Sequence, residues 1–510
     1  MKVKHKRGIR IQTRIIISGI TILLQLAVFM AIIYNLSTKL LWIYSLIEFL
    51  GMTLAVYIIN THTNPSYKLP WTTFILIAPL VGVPAYLIWG GGRIYPPFRR
   101  RMKKSESHYL KYLPNCDKTK ERLFYEDDGL SRQASFLASE SGFPLYENTS
   151  AEYLSPGEVL LPRLLEELEM AQKFIFIEFY ILAEGKMWSQ IYEVLRRKAA
   201  QGVEIRIIFD DFGSIKRQRK GFVNRLRRRG ISVAIFNKIR PSVDLFMNNR
   251  DHRKIVVIDG KTAITGGINI GDEYANYIDR FGHWMDCGVI LKGDAVLSFT
   301  VMFMSMWTFT TGKILNAEKY ITQVPEPHDG YILPYCDSPL NNSDPAEGIY
   351  MQMINSASRY IYITTPYLII DNAMITALCL AAKSGVDVRI VTPKRWDKWY
   401  VHPVTQQNYE PLLNAGVRIY EYTPGFIHSK LFVSDDEVAT VGTINMDFRS
   451  FHDQFECGVW IGSNSEIVNI RDHVKTIIDR SEEITAARWK KRPLLQKLKQ
   501  HILHLFAPLL

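Results

Sequence analysis

The sequence predicts an α/β protein in which two similar mixed-sheet domains form a pseudo-twofold unit, preceded by N-terminal transmembrane helices. Three observations carry this expectation: long apolar runs confined to the first ninety residues, helix and strand patterns that alternate after about Ser105, and a motif that recurs 176 residues later. Alternating helices and short β-branched apolar strands indicate layers around a buried sheet. The 510 residues exceed one ordinary core, and 47% hydrophobic with 22% charged residues excludes a disordered or fibrous chain.

The apolar runs come first in the chain. Ile15 to Tyr34 carries no charge, Leu40 to Ile59 is interrupted only by Glu48, and Trp71 to Trp89 contains Pro79, Gly82 and Pro84. The first run is long enough to cross a bilayer, too long for a signal peptide, and lacks a small-residue cleavage site, so it reads as a retained anchor. Basic residues flank both ends of the region, Lys2 to Arg14 on one side and Arg93 to Lys104 on the other. Placing both flanks in the cytoplasm requires an even number of crossings, and the Pro/Gly-broken third run is the candidate for a re-entrant segment. Glu48 is expected to face protein or a water pocket. The expectation is a multi-pass cell-membrane protein with its globular body on the cytoplasmic side.

The boundaries expected from composition are a membrane region over 1–104, a linker over 105–150, a first half over 151–335, a second over 336–480, and a basic amphipathic C-terminal helix over 481–510. In the first half, Leu161, Leu164, Leu165 and Leu168 fall at helical spacing before the apolar run Phe174 to Leu182. A second helix pattern (Trp188, Ile191, Leu195) ends at Gly202, followed by strands at Val203 to Phe209 and Ile231 to Phe236. The second half repeats the order with a strand at Tyr360 to Ile363, a helix through Ala373 to Ser384, and strands at Val386 to Val391 and Val417 to Tyr422. Two halves of this length match ordinary domain sizes.

The repeat becomes strict at one motif. Residues 252–259 read HRKIVVID and residues 428–435 read HSKLFVSD, so His252/His428, Lys254/Lys430 and Asp259/Asp435 share one spacing. Each copy is followed by a small-residue turn ending in Asn269 or Asn445, then by an acid before Cys-Gly-Val, Asp286 or Glu456. Residues i and i+2 of a strand share a face, so each His converges with its Lys. An imidazole, an ammonium and a carboxamide together suit a phosphate, and two copies supply the nucleophile and the acid/base of a double displacement. One His per copy disfavours a metal site, and five scattered cysteines without a C-x-x-C pair argue against zinc or a disulfide framework.

The doubled H-x-K-x4-D with G-[GT]-x-N resembles the phospholipase D superfamily, and the wider layout is similar to its bacterial cardiolipin synthases. The similarity extends to Asp210-Asp211-Phe212-Gly213-Ser214, Asn249-Arg250-Asp251, Thr365-Pro366-Tyr367, Gly425-Phe426-Ile427 and Asp447-Phe448-Arg449-Ser450. The resemblance implies two phospholipase D-like domains and transfer of a phosphatidyl group between two phosphatidylglycerol molecules, giving cardiolipin and glycerol without metal or nucleotide. It implies His252 as nucleophile and His428 as acid/base, or the reverse. Lys254, Lys430, Asn269 and Asn445 would hold phosphate oxygens, Asp259 and Asp435 would support the motif's hydrogen bonds, and Asp286 and Glu456 would orient the imidazoles. Departures are the extra run Ile15–Tyr34 and Gln454, where relatives carry Asn.

A net charge of +12 favours anionic partners, and the membrane runs favour anionic lipid over nucleic acid. Lys216 to Arg229 holds eight Lys/Arg and reads as a solvated face or a headgroup contact. From Leu494 onward, Leu494, Leu495, Leu498, Ile502 and Leu505 form one helical stripe opposite Lys497, Lys499, Gln500, His501 and His504, the pattern of an interfacial helix or of one packed on the body.

Overall fold

The computed structural model describes residues 27, 31, 41–61, 64–90, 96–239, 249–322, 324–340 and 343–509. Two compact units emerge, a smaller one from 1–98, 239–248 and 505–510, and a larger one from 99–238 and 249–504.

In the smaller unit the run Leu40–Ile59 forms an α-helix, Leu41–Ile59, whose final carbonyl accepts a hydrogen bond from Lys68 Nζ at 3.0 Å. The run Trp71–Trp89 is not one helix. It divides at Pro79 into Pro65–Ile77 and Pro79–Ala85, because proline has no N–H to continue the helical ladder, and a π-helical turn, Tyr86–Gly90, follows. Among the described residues no helix is long and apolar enough to cross a membrane. Trp42, Phe49, Val56, Leu69 and Ile77 are nevertheless more than half exposed. The run Ile15–Tyr34 lies outside the described residues apart from Ala27 and Ala31.

The larger unit is an α/β body of two mixed sheets. The strands of the first half are β1 (Thr149–Leu154), β2 (Phe174–Phe179), β3 (Glu204–Asp210), β4 (Ser232–Phe236), β5 (Arg250–Asp251), β6 (Lys254–Ile258), β7 (Thr262–Gly266), β8 (His283–Met285) and β9 (Gly288–Gly293). Those of the second are β10 (Tyr331–Asp337), β11 (Tyr360–Thr364), β12 (Leu368–Ile369), β13 (Asp387–Pro393), β14 (Arg418–Tyr422), β15 (Gly425–Ile427), β16 (Leu431–Ser434), β17 (Val438–Gly442), β18 (Met446–Asp447), β19 (Gln454–Gly462) and β20 (Ser481–Ile484). One sheet runs β1-β9-β7-β6-β2-β3-β4 and the other β10-β19-β17-β16-β11-β13-β14-β20. Strand for strand the two orders match, with β20 as an additional edge.

Burial explains why these segments are strands. Every residue of β2, β6 and β11 is buried, the continuous apolar signature of strands covered on both faces. The helices Gly157–Glu169 and Lys186–Ala200 cover the first sheet with Leu160, Leu161, Leu164, Leu168, Ile191 and Leu195. Val296–Thr311 is buried over almost its whole length and touches strands of both sheets. Its even hydrophobicity is what a helix enclosed on all sides requires.

Two short pairings join the halves. β5 lies parallel to β19, with Arg250 opposite Gln454 and Asp251 opposite Phe455, and β15 lies parallel to β8, with Ile427 opposite Met285. Each brings the residues just before one motif histidine against the strand of the other half that bears or precedes an acid. Beyond β20 the tail is not one helix: Pro493 separates Ala486–Lys490 from Leu494–His504.

Candidate active site

His252 leaves β5 with its N–H on the Phe455 carbonyl at 2.9 Å, and His428 leaves β15 with its N–H on the Met285 carbonyl at 2.7 Å. The side chains cross in the same way. Nδ1 of His252 pairs with Glu456 Oε1 at 2.8 Å, and Nδ1 of His428 pairs with Asp286 Oδ2 at 2.7 Å. Each imidazole is therefore oriented by a carboxylate of the opposite half. Asp286 is held ionised and accepts, so Nδ1 of His428 carries the proton and its Nε2 is left with its lone pair.

Lys254 Nζ donates to the His252 carbonyl at 2.5 Å, while Lys430 Nζ reaches the His428 carbonyl and lies 2.9 Å from its Nδ1. Burial and the charge of Lys254 and Lys430 hold the His252 pKa well below its usual value. Burial and Lys430 bring His428 to about 4 against the pull of Asp286. Both lysines act on both rings, so the four side chains share one site. Burial also lowers Lys254 to about 7 and Lys430 to about 8. Two neutral imidazoles between two poorly solvated ammonium groups form a site that gains from an incoming anion.

The two acids differ. Burial raises Asp286, but the charges of His428 and Lys430 and the Cys287 N–H hold it below the usual carboxylate range. Glu456 is lifted by burial to about 8, although Thr443 Oγ1 and Ser450 Oγ donate to it. Gln454, in the amide orientation that satisfies both its atoms, donates to Glu456 and accepts from Arg449 Nε at 3.1 Å. The two surroundings also differ at one position. Thr443 supplies its hydroxyl where the first half has Gly267, and a Cβ there would sit 2.1 Å from Asp286 Oδ1.

The remaining residues of the motif divide. Asp259 is not brought to the histidines: it directly follows β6, five residues beyond Lys254 and so roughly 16 Å along the chain direction. Its carboxylate accepts the backbone N–H groups of Gln172, Lys173 and Phe174 at 2.7–2.8 Å. Asp435 likewise accepts from Ser358, Arg359 and Tyr360. Both tie the sheet's far end to the start of β2 or β11. Asn269 is engaged, accepting from the Ile181 N–H at 3.0 Å and donating to Tyr274 Oη at 2.9 Å. Asn445 differs, since its Oδ1 is buried and has no hydrogen-bond partner.

Sequence reasoning gave no role to Arg449, Thr443, Ser450, Tyr180 and Trp284. Tyr180 stands edge-on to His252 at 5.0 Å and Trp284 lies 5.4 Å from His428, walls that pin the rings. The Arg449 charge acts on His252, and its place within the Asp447-Phe448-Arg449-Ser450 mark was the available signal. Among the described residues, Asp344, Glu347 and His452 could together hold a metal ion, a group that shares no residue with the histidine pair.

Comparison with known proteins agrees with this geometry. Residues 164–307 and 350–481 match the family described as "Cardiolipin synthase, PLD-like domain", and residues 40–91 match "Phospholipase_D-nuclease N-terminal". Cardiolipin synthase 2 of Bacillus anthracis is 33% identical, covering 89% of this chain and 88% of its own. Cardiolipin synthase of Geobacillus thermodenitrificans is 34% identical, covering 92% and 95%. An uncharacterised protein of Streptococcus mutans is 38% identical, covering 89% and 99%. Phosphatidylserine synthase of Haemophilus influenzae shares the fold, with a TM-score of 0.55 at 11% identity over 74% of this chain and 98% of its own. The chain belongs to the cardiolipin synthase family of the phospholipase D superfamily, and it is an enzyme of the phosphatidyltransferase class.

Proposed function

We propose that the enzyme is a cardiolipin synthase that transfers a phosphatidyl group from one phosphatidylglycerol to another, with glycerol as the second product. The observation that carries this reading is the pair of crossed imidazole–carboxylate contacts, His252 with Glu456 and His428 with Asp286, flanked by Lys254 and Lys430. His252 Nε2 attacks phosphorus, the bond to the glycerol headgroup breaks, and His428 gives its proton to the leaving oxygen. His428 then takes the proton from the terminal hydroxyl of the second phosphatidylglycerol. That oxygen attacks phosphorus, the P–N bond to His252 breaks, and cardiolipin departs.

The unequal acids support this division of labour. The ionised Asp286 favours an imidazolium on His428, as an acid/base requires, once a phosphodiester has offset the lysine charges. Glu456, raised to about 8, favours an imidazolium on His252 less, so that ring stays neutral, as a nucleophile must be. Lys254, Lys430, Asn445 and Arg449 would hold phosphate oxygens. Burial of both histidines excludes the water that would divert the intermediate to hydrolysis. The apolar faces of the smaller unit and the chain's basic balance support attachment to the cell membrane through N-terminal helices, with the catalytic body on the cytoplasmic side.

Purified enzyme incubated in micelles with labelled phosphatidylglycerol tests the reading. Cardiolipin and glycerol in equal amounts are expected, whereas phosphatidic acid as the main product would make the protein a hydrolase.

A further inference from the structure

The C-terminal helix Leu494–His504 is packed against the helix Val401–Gln407 by its polar side. Gln500 is fully buried and donates to Gln406 Oε1 at 3.2 Å, and His504 Nε2 lies 3.3 Å from Asn408 Oδ1. The apolar stripe is turned outward: Leu494, Leu495, Leu498 and Ile502 are 83, 79, 55 and 50% exposed. An amphipathic helix on a body surrounded by water buries its leucines, so this orientation requires another apolar medium.

The neighbouring surface identifies the medium. Lys499 Nζ stands 5.4 Å from the Trp399 ring, and Trp399 and Trp396 are 58 and 50% exposed on the loop after β13. Between them in sequence, Lys398 lies over the Tyr367 ring at 4.8 Å, and its charge helps to hold His252 neutral and opposes the burial that raises Asp447. The loop that exposes the tryptophans therefore also borders the histidine site. From Thr485 to His504 there are six Lys/Arg and no Asp or Glu. A second copy could cover the leucines, but it would bring these cations against their own kind. An anionic lipid surface satisfies all three features: acyl chains for leucine, the interfacial zone for tryptophan, and headgroups for lysine.

We propose that the outward stripe of Leu494–His504, with Trp396 and Trp399, docks the catalytic body on an anionic bilayer and sets the mouth of the histidine site at headgroup depth. The proposal rests on the lipid-transfer reading above. Docking lets a lipid headgroup reach the lysines while its chains stay in the membrane, and it does so independently of the N-terminal apolar runs.

The test is the full-length variant Leu494→Gln/Leu495→Gln/Leu498→Gln/Ile502→Gln, assayed on two substrates. One is phosphatidylglycerol in bilayer vesicles, and the other is a short-chain phosphatidylglycerol below its micelle concentration. Turnover on vesicles is expected to fall about tenfold or more, while turnover of the monomeric lipid stays within about twofold. Trp396→Ala/Trp399→Ala is expected to move in the same direction. Hydrogen exchange of residues 494–504 in the wild type is expected to slow on addition of phosphatidylglycerol vesicles and not of phosphatidylcholine vesicles. Equal loss on both substrates, no loss on vesicles, or a stripe protected by self-association instead of by vesicles would each overturn the proposal. Absence of transfer by the wild type on either substrate would count against the reaction, not against docking.

Discussion

Replacing Asp286 by Asn separates a positioning carboxylate from a spectator. Asp286 is fully buried, with Oδ1 accepting the Cys287 N–H at 2.8 Å and Oδ2 accepting His428 Nδ1 at 2.7 Å. The backbone donor is fixed, so the amide oxygen of Asn must take the Oδ1 position. Its NH2 then faces His428 Nδ1, which has to offer a lone pair, and the ring proton moves to Nε2. Loss of the charge-assisted bond alone is worth about 1.5–3 kcal/mol, or roughly 10- to 150-fold in rate. Tautomer inversion adds to this, and the same exchange in a serine-protease triad costs on the order of 10⁴ in turnover. A fall in kcat on the order of 10³ or more is expected in the micellar phosphatidylglycerol assay, with little change in melting temperature because the amide is isosteric. Turnover above one tenth of wild type would refute the claim that Asp286 sets the tautomer of His428.

His252→Ala and His428→Ala are each expected to abolish transfer while leaving folding and membrane association intact, and near-normal turnover of either would exclude a two-histidine mechanism. With Lys254 near 7 and Lys430 near 8, kcat/KM is expected to fall as pH rises through 7–9, because both ammonium groups lose the charge that holds phosphate. Lys430→Met should lower the plateau and flatten that alkaline limb, and an unchanged profile would place the titrating group elsewhere. Asp259→Ala is expected to destabilise the protein by about 1.5–3 kcal/mol, by orphaning three backbone donors, and to leave turnover at low temperature within about threefold. A melting temperature equal to wild type would contradict this structural role. Burial and Asp251 push Glu178 well above the usual carboxylate range, so Glu178→Gln, which mimics a protonated acid, should change stability by less than about 1 kcal/mol by calorimetry.

The sequence made the duplication legible because one residue pattern recurs in register, and strand periodicity already placed each lysine beside its histidine. Asp259 and Asp435 were expected beside those groups as part of the motif, but five residues of extended chain carry them past β6 and β16 to the other end of the sheet. The crossing of the acids was not legible. It depends on the two-residue pairing of β5 with β19 and on that of β15 with β8, between segments far apart in the chain, and no local pattern encodes either. The stripe of the tail was visible as a periodicity, but which side faces the body depends on Gln500 finding Gln406. Asn269 and Asn445 occupy equivalent positions, yet only Asn269 has its carbonyl committed to backbone, at Ile181.

The crossed acids give the duplication a physical rationale. Neither half contains a complete imidazole–carboxylate pair, so a single half would expose a histidine with no acid to fix its tautomer and a buried acid with no partner. Joining two copies in one chain makes the pairs obligatory and also frees them to diverge. Gly267 against Thr443, Asp286 against Glu456 and Glu273 against Arg449 are all equivalent or near-equivalent positions that now differ in size or charge. Arg217 and Arg280 neutralise Glu273, whereas the Arg449 charge is directed at His252. A symmetric site would give both rings the same proton affinity. A ping-pong transfer needs one ring that stays neutral to attack and another that cycles its proton, and these substitutions around a shared fold create that difference.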